Sequence, residues 1–203
     1  MAKDFDEGLS GLAVVTIGSP QHQAHIERFK EDIDGFKYNF SNLDWVTRCI
    51  ALGPYPLNKE EILAQAGITH VLYVGDGLYH TSFRKELFKE TIEVPVEDLC
   101  EIPVPTAKRA ISELHRMLHS DTNSKVYVHC SAGQNRSPNI LWLYLTSVGL
   151  PPEYGIKLIC SARLDAVPGN EIMVPKGSSL IEEVQRFGKE HLQTVYGHIL
   201  SIK

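Results

Sequence analysis

The sequence lacks the features that mark several common classes of protein. Its four cysteines, Cys49, Cys100, Cys130 and Cys160, are widely spaced and form no CxxC pair, which argues against a zinc site and a disulfide-dense scaffold. No apolar run approaches the length of a membrane span, and residues 12–17 are too short for a secretory signal core. The net charge of −5 leaves no excess of basic residues for nucleic acid. We therefore expect no membrane span, no nucleic-acid partner and a reducing, cytoplasmic location.

What the sequence does contain is an alternation of strand-like and helix-like patterns. With 203 residues, 43% of them hydrophobic, the chain can bury one substantial core. Short apolar runs bounded by turn residues predict four strands, at Val46–Leu52, Thr69–Val74, Thr91–Val96 and, most centrally, Val126–Val128. Helical spacing, with Asn58 as the first cap, predicts helices at 59–67, Ser82–Lys89, Pro105–His119, Ser137–Val148, Pro152–Cys160 and from Ser178 onward. This order predicts an α/β fold with a central, mostly parallel sheet of four to five strands flanked by helices.

The first 44 residues follow a different pattern. LAVVTIG predicts an additional strand, and HQAHIERFKEDI predicts a partly polar helix. No internal repeat or low-complexity linker separates this region from the rest. We therefore divide the chain into an N-terminal extension, residues 1–44, packed on the core, and a main domain, residues 45–203.

The segment VHCSAGQNRSP, residues 128–138, places a polar loop between a buried strand and a buried helix. Ligands of α/β folds bind at this edge of the sheet, and unpaired amides at a helix N-terminus attract anions. Gly133 permits backbone angles that most residues resist, and the planar fork of Arg136 can hold two phosphate oxygens. The expected phosphate-binding residues are Ser131, Ala132, Gly133, Gln134, Asn135 and Arg136.

Cys130 lies at the base of the same loop. The loop amides, the helix dipole and Arg136 all favour its thiolate form, which would face a bound phosphoryl group. A lone cysteine is more often a small buried side chain. Its combination with a glycine and an arginine on one strand-to-helix turn predicts a nucleophile.

These residues carry a resemblance to a known family. His129-Cys130-(x5)-Arg136-Ser137 is similar to the signature of the cysteine-dependent protein tyrosine phosphatase superfamily. The segments GITHVLYVG and IEVPVED, and the position of the motif late in a short chain, resemble the dual-specificity phosphatases over roughly residues 45–170. The resemblance implies the phosphotyrosine protein phosphatase-like fold and a phosphocysteine intermediate. No metal-ligand cluster or nucleotide-binding glycine motif predicts a cofactor.

The resemblance also implies a general acid. Asp98 would protonate the leaving oxygen and then accept a proton from the water that hydrolyses the phosphocysteine. The neighbouring carboxyl groups of Glu97 and Glu101 are the alternatives.

Three further residues would support the reaction. Ser137 would donate a hydrogen bond to the cysteine sulfur and could also cap the following helix, with Pro138 at the first helical turn. His129 would orient the loop, with an ordinary core histidine as the alternative. Arg163 would help to hold the loop, with a plain surface ion pair as the alternative.

We therefore expect a phosphomonoester hydrolase, a dual-specificity protein phosphatase whose partner is a phosphorylated protein or peptide. The loop lacks the lysines that relatives acting on inositol phospholipids carry. A phospholipid, an RNA 5′ end or a small phosphometabolite remains an alternative substrate, and a catalytically silent phospho-binding module is the alternative of another class. A redox or sulfur-transfer enzyme is a third, and Cys49 or Cys100 could trap an oxidised Cys130 as a disulfide.

Overall fold

The central element is a mixed five-stranded sheet. The computed structural model describes residues 14–24, 26–27, 43–76, 83–196 and 199. In sheet order, the strands are β2 (Asp44–Trp45), β3 (Ile50–Gly53), β6 (Val126–His129), β4 (His70–Tyr73) and β5 (Glu90–Glu93). β2 and β3 pair antiparallel, and the other neighbours pair parallel. The predicted sheet is confirmed, with β6 at its centre.

Helices cover both faces of this sheet. In chain order, they are α1 (Glu60–Gln65), α2 (Val104–Leu118), α3 (Arg136–Ser147), α4 (Pro152–Ala162) and α5 (Leu180–Phe187). Alternate strand residues point to opposite faces, so Val126 and Val128 join the core of α2 to α5 while Tyr127 joins the core that includes Leu63 of α1. Every residue of α3 is buried, which gives the loop before it a rigid base.

Several local predictions are wrong, each because a turn replaces the expected element. Asn58 does not cap α1, because it takes a left-handed backbone (φ +60°) and Lys59 precedes the helix without a side-chain bond. The strand expected at Val46 begins at Ile50, because the amides of Val46 and Thr47 both donate to the Ile50 carbonyl in a tight turn. Of the helix expected at 82–89, the described part holds a single 3-10 turn, Lys85–Leu87.

The N-terminal segment contacts the C-terminal end of the described chain. β1 (Val14–Thr16) pairs antiparallel with β7 (Thr194–Tyr196) in a separate two-stranded sheet, so the predicted extra strand exists outside the main sheet. Residues 20–24 and 26–27 are helical, and the rest of the predicted N-terminal helix lies outside the described residues. The division at residue 44 stays a prediction, although Asp44 itself belongs to β2. No helix in the described ranges is long and apolar enough to cross a membrane.

His115 of α2 lies against the segment that leads into β7, next to His119 of the same helix. The rings of His115 and His119 are 4.0 Å apart, and His115 Nδ1 lies 3.3 Å from the Tyr144 hydroxyl of α3. Burial, with the neighbouring His119, lowers the pKa of His115 to about 3. Burial also lowers the pKa of His119. The folded protein therefore holds both rings in the neutral form at neutral pH.

This packing predicts a loss of stability on acidification. The unfolded chain binds a proton at His115 below its ordinary pKa of 6.5, whereas the folded chain does so only near 3, so stability falls as the pH drops between these values. For His115 alone the free energy of unfolding should fall by about 2 kcal/mol between pH 7.5 and pH 5. Urea unfolding at several pH values measures this slope. The slope should decrease in His115→Gln and persist in His191→Gln, which changes an exposed histidine; equal slopes in both variants would contradict the assignment.

Candidate active site

The loop between β6 and α3 turns its carbonyl groups outward. Each carbonyl of residues 130–135 accepts a hydrogen bond from the surrounding structure. The donors, in order, are His129 Nδ1 (3.1 Å), the Tyr55 amide (2.9 Å), Arg163 Nη2 (3.0 Å), Arg163 Nε (2.8 Å), the Val167 amide (2.8 Å) and Asn139 Nδ2 (2.8 Å). Within the described ranges, no amide of residues 131–136 donates a hydrogen bond. The loop is thus a nest of inward amides at a helix N-terminus, as an anion site requires.

Gly133 allows this loop to lie directly on the end of β3. Its φ is +71°, and a Cβ there would lie 2.4 Å from the carbonyl carbon and oxygen of Gly53. Gly53 in turn lies on Tyr127, whose hydroxyl would be 2.2 Å from a Cβ at position 53. The Tyr127 hydroxyl donates to the Pro54 carbonyl at 2.6 Å. The backbone at Gly133 therefore packs directly on the backbone at Gly53, and this contact fixes the distance between the loop and the end of β3.

Arg136 is a buried cation with unused hydrogen-bonding capacity. Arg136 is 3% exposed, and its Nη2 donates to Ser131 Oγ at 2.9 Å. The Asp76 and Asp98 carboxylates lie 3.5 and 3.4 Å from the guanidinium. Its Nε and Nη1 have no hydrogen-bond partner among the described residues. Because buried polar groups are nearly always bonded, this guanidinium favours an anionic ligand.

The thiol of Cys130 lies at the base of the same loop. Cys130 is 2% exposed, and the Ser137 hydroxyl donates to its sulfur at 3.4 Å. His129 is enclosed by aromatic rings, with Tyr73 at 5.0 Å and Tyr127 at 5.4 Å between centroids, and its Nδ1 donates to the Cys130 carbonyl. The sulfur is thus held among buried neighbours, Ser137 and His129.

The loop after β5, called the Asp98 loop below, brings Asp98 to residues 130–135 between β6 and α3, called the phosphate loop below. Its Oδ1 accepts hydrogen bonds from Asn135 Nδ2 at 2.9 Å and from the Leu99 amide at 3.1 Å. Asn170 Nδ2 donates to Asn135 Oδ1 at 2.9 Å, which orients the amide that holds Asp98. Glu97 and Glu101 instead line the neighbouring cavity with Asp76. Among the three carboxylates weighed from the sequence, Asp98 contacts the loop.

Arg163 connects the loop to the edge of the sheet. Besides its bonds to the Ala132 and Gly133 carbonyls, its Nη1 lies 2.8 Å from Asp44 Oδ2. Asp165 pairs with its Nε at 3.1 Å and accepts a bond from Gln134 Nε2 at 3.0 Å. Arg163 thus contacts the loop, and its ion pair with Asp44 is buried, so a plain surface ion pair does not describe this residue.

Sequence reasoning missed two features of the site. Asp76 follows β4, which neighbours β6 in the sheet, so its position at the carboxyl edge of a predicted strand was a usable signal. The sequence predicts a role for Asn135 only through its backbone amide, and no local pattern indicates that its side chain contacts Asp98.

The other cysteines do not all lie near the loop. Parallel pairing of Ile50 with Val126 places Cys49 at the opposite end of the strands, about 16 Å from Cys130 at 3.3 Å per residue. A disulfide needs Cα atoms within about 7 Å, so of the two alternatives left open by the sequence Cys49 is too far away to trap an oxidised Cys130. Burial also raises the pKa of the Cys49 thiol to about 12. No disulfide joins the cysteines, and a Cys100 partner stays a prediction.

The Arg163–Asp44 pair should contribute strongly to stability, because both side chains are largely buried, at 11% and 5% exposure. Asp44→Ala should lower the free energy of unfolding by about 3 kcal/mol, since it removes the buried carboxylate that pairs with a buried guanidinium. Lys176→Ala, which removes an ion pair exposed on both sides, should cost under about 1 kcal/mol. Urea unfolding measures both variants. Equal losses would show that the Arg163 pair contributes no more than a surface contact.

Comparisons with known proteins agree with this geometry. Residues 50–149 match the family described as dual specificity phosphatase, catalytic domain. A search of curated proteins finds no match to the sequence.

Solved structures of low sequence identity share the fold. Human DUSP28 is 20% identical, with a TM-score of 0.57, over 76% of this chain and 97% of its own. DUSP15 is 22% identical, with a TM-score of 0.57, over 75% and 92%. PTPMT1 in complex with PI(5)P is 18% identical, with a TM-score of 0.59, over 72% and 97%.

The expected phosphotyrosine protein phosphatase-like fold is thus confirmed, and the family match covers both β6 and the loop that carries Cys130 and Arg136. The chain therefore contains, at residues 50–149, a dual-specificity phosphatase-type domain of the cysteine-dependent protein tyrosine phosphatase superfamily.

Proposed function

We propose that this protein hydrolyses phosphomonoesters of proteins or peptides, at both tyrosine and serine or threonine, through a phosphocysteine intermediate. The observation that carries the proposal is the buried guanidinium of Arg136, whose Nε and Nη1 have no hydrogen-bond partner among the described residues. It adjoins a ring of inward amides with Cys130 at its base. A tetrahedral dianion satisfies all of these donors at once.

In the first step the Cys130 thiolate attacks phosphorus, and the bond from phosphorus to the ester oxygen breaks. Asp98 transfers its proton to that oxygen, so the product leaves as a neutral alcohol or phenol. The loop amides and Arg136 stabilise the charge on the three equatorial oxygens.

In the second step water attacks phosphorus and the bond to sulfur breaks. Asp98, now ionised, accepts a proton from the water, and inorganic phosphate forms. The Ser137 hydroxyl, 3.4 Å from the sulfur, stabilises the thiolate as it leaves. The cycle returns every group to its starting protonation state.

The charges around the loop support a protein substrate. Residues 131–135 carry no basic side chain, and Asp76, Glu97 and Glu101 line the cavity beside Arg136. The additional phosphates of a polyphosphorylated head group would meet these carboxylates, whereas a phosphopeptide brings only the one phosphate held by Arg136. PTPMT1, whose structure contains PI(5)P, shares the fold at 18% identity, so a lipid substrate is the alternative to test. A cytoplasmic location, where thiols stay reduced, fits cysteines that form no disulfide.

The proposed roles predict distinct losses of activity. With chelator present, Cys130→Ser should abolish turnover of every ester, because it removes the nucleophile. Asp98→Asn should slow phosphothreonyl peptides by about 10²–10⁴-fold and p-nitrophenyl phosphate much less, because nitrophenolate leaves without a proton. Glu101→Gln should change both rates far less than Asp98→Asn. Steady-state kinetics on aryl phosphate, phosphotyrosyl and phosphothreonyl peptides and phosphoinositides measure these effects.

Two results would contradict the proposal. Wild-type protein that binds a phosphopeptide tightly without turnover would indicate a phospho-binding module. Turnover that survives in Cys130→Ser would exclude the phosphocysteine route.

The Asn135–Asp98 hydrogen bond predicts a positioning effect. Asn135→Ala should slow hydrolysis of phosphothreonyl peptides by about tenfold, the worth of one hydrogen bond to a charged group. It should affect p-nitrophenyl phosphate less, because that leaving group needs no proton. The ratio of the two kcat/KM values reports this difference, and equal losses on both esters would indicate damage to the loop instead.

A further inference from the structure

An apolar groove lies beside the phosphate loop. Its volume is about 420 Å³, within the range of ligand pockets, and carbon atoms make up most of its surface. The groove is formed mainly by Leu43, Tyr55, Leu57, Ile62, Tyr127 and Ser131. Below we call this the Tyr55 groove. The phosphate chemistry proposed above uses none of its apolar side chains.

The Tyr55 groove and the phosphate loop share a wall. Ser131 lines the groove, its carbonyl accepts the Tyr55 amide at 2.9 Å, and its hydroxyl accepts Arg136 Nη2 at 2.9 Å. One residue therefore separates the guanidinium from the apolar surface. A phosphoester held by Arg136 would therefore lie one residue away from the groove.

The lip of the groove exposes large apolar side chains to water. Leu57 is 69% exposed and Ile62 is 56% exposed. Leu57 also takes a left-handed backbone, with a φ of +33°, which leucine rarely adopts. A strained backbone that presents an apolar side chain at a pocket lip favours a binding role over a packing role.

We propose that the Tyr55 groove binds a bulky apolar side chain of the phosphopeptide substrate, within about two residues, or ~7 Å of extended chain, of the phosphorylated residue. This assignment rests on the proposed function and names its substrate class: phosphopeptides with leucine, isoleucine or phenylalanine next to the phosphoresidue. Burial of such a side chain should raise kcat/KM about tenfold or more over glycine at the same position.

The charges around the site favour a peptide over a lipid as the occupant. Asp76 and Asp98 contact Arg136, and Glu97 and Glu101 lie with Asp76 in the adjoining cavity. In the groove itself, Lys59 is the single basic residue among those described as lining it. These carboxylates would repel an anionic head group and an anionic membrane surface. They would not repel the neutral or basic residues that flank the phosphoresidue of a peptide.

The test measures kcat/KM on phosphopeptides that differ only in leucine against glycine at each position from −2 to +2. Wild type should prefer leucine at one of these positions by about tenfold. Leu57→Asn should reduce the preference, and the double variant Leu57→Asn/Ile62→Asn should bring it close to one. The fold should tolerate Leu57→Asn, because asparagine adopts a left-handed backbone more readily than leucine.

Leu99→Asn is the matched control. Leu99 is also exposed, at 60%, and also left-handed, with a φ of +56°, but it lies in the Asp98 loop and not in the groove. Because the Leu99 amide donates to Asp98, this variant can lower the rates on both peptides, but it should keep the wild-type ratio of leucine to glycine. Fluorescence anisotropy of the same peptides on Cys130→Ser protein gives a binding ratio that does not depend on turnover, with the same expected order.

Different results overturn the two proposals. Hydrolysis of p-nitrophenyl phosphate without any apolar preference, or with a preference that the double variant keeps, would overturn the groove assignment and leave the proposed function standing. No turnover of any ester would refute the proposed function, and the anisotropy ratio alone would then decide the groove. Faster hydrolysis of PI(5)P in phosphatidylcholine vesicles than of the best peptide, lost in the double variant, would assign the groove to a lipid chain.

Discussion

The site is built around two guanidinium groups that the fold removes from water. An unpaired buried charge is very costly, so each of these cations needs carboxylates nearby. The chain supplies four, each from a different segment: Asp44 of β2, Asp76 after β4, Asp98 after β5 and Asp165 after α4. The ion pairs of Arg136 and Arg163 therefore hold the edge of the sheet, the Asp98 loop and the segment after α4 against the phosphate loop.

The two arginines differ in what remains of their hydrogen-bonding capacity. Arg163 donates to carbonyls and carboxylates of the protein, so it holds the loop in place. Arg136 keeps two nitrogens, Nε and Nη1, that donate no hydrogen bond within the described part of the chain, so it is available to a ligand. Two successive hydrogen bonds, from Asn170 to Asn135 and from Asn135 to Asp98, also join the segment after α4 to the Asp98 loop through the phosphate loop. Rigidity and reactivity are thus assigned to different residues of the same site.

Features that depend on local sequence could be predicted, and features that depend on long-range contacts could not. The sheet followed from apolar runs and turns, and the loop from Cys130, Gly133 and Arg136, which lie within seven consecutive residues. The side-chain role of Asn135 escaped prediction, because its contact with Asp98 joins segments that only the folded sheet brings together. Asp76 was missed although its place at the carboxyl end of a predicted strand was a signal. The prediction that Asn58 caps α1 was wrong for another reason. Asparagine is common both at helix caps and in left-handed turns, and here it lies in a left-handed turn.

The stacked contact of Tyr127, Gly53 and Gly133 limits how this sequence can diverge. A side chain at position 53 would collide with the tyrosine hydroxyl, and one at position 133 would push the loop off β3. Neither glycine contributes a side chain to the chemistry. Both positions are nevertheless closed to gradual substitution, and an escape at position 53 would need a simultaneous change of the tyrosine beneath it. Mutational tolerance at this site is therefore set by backbone spacing as much as by the residues that react.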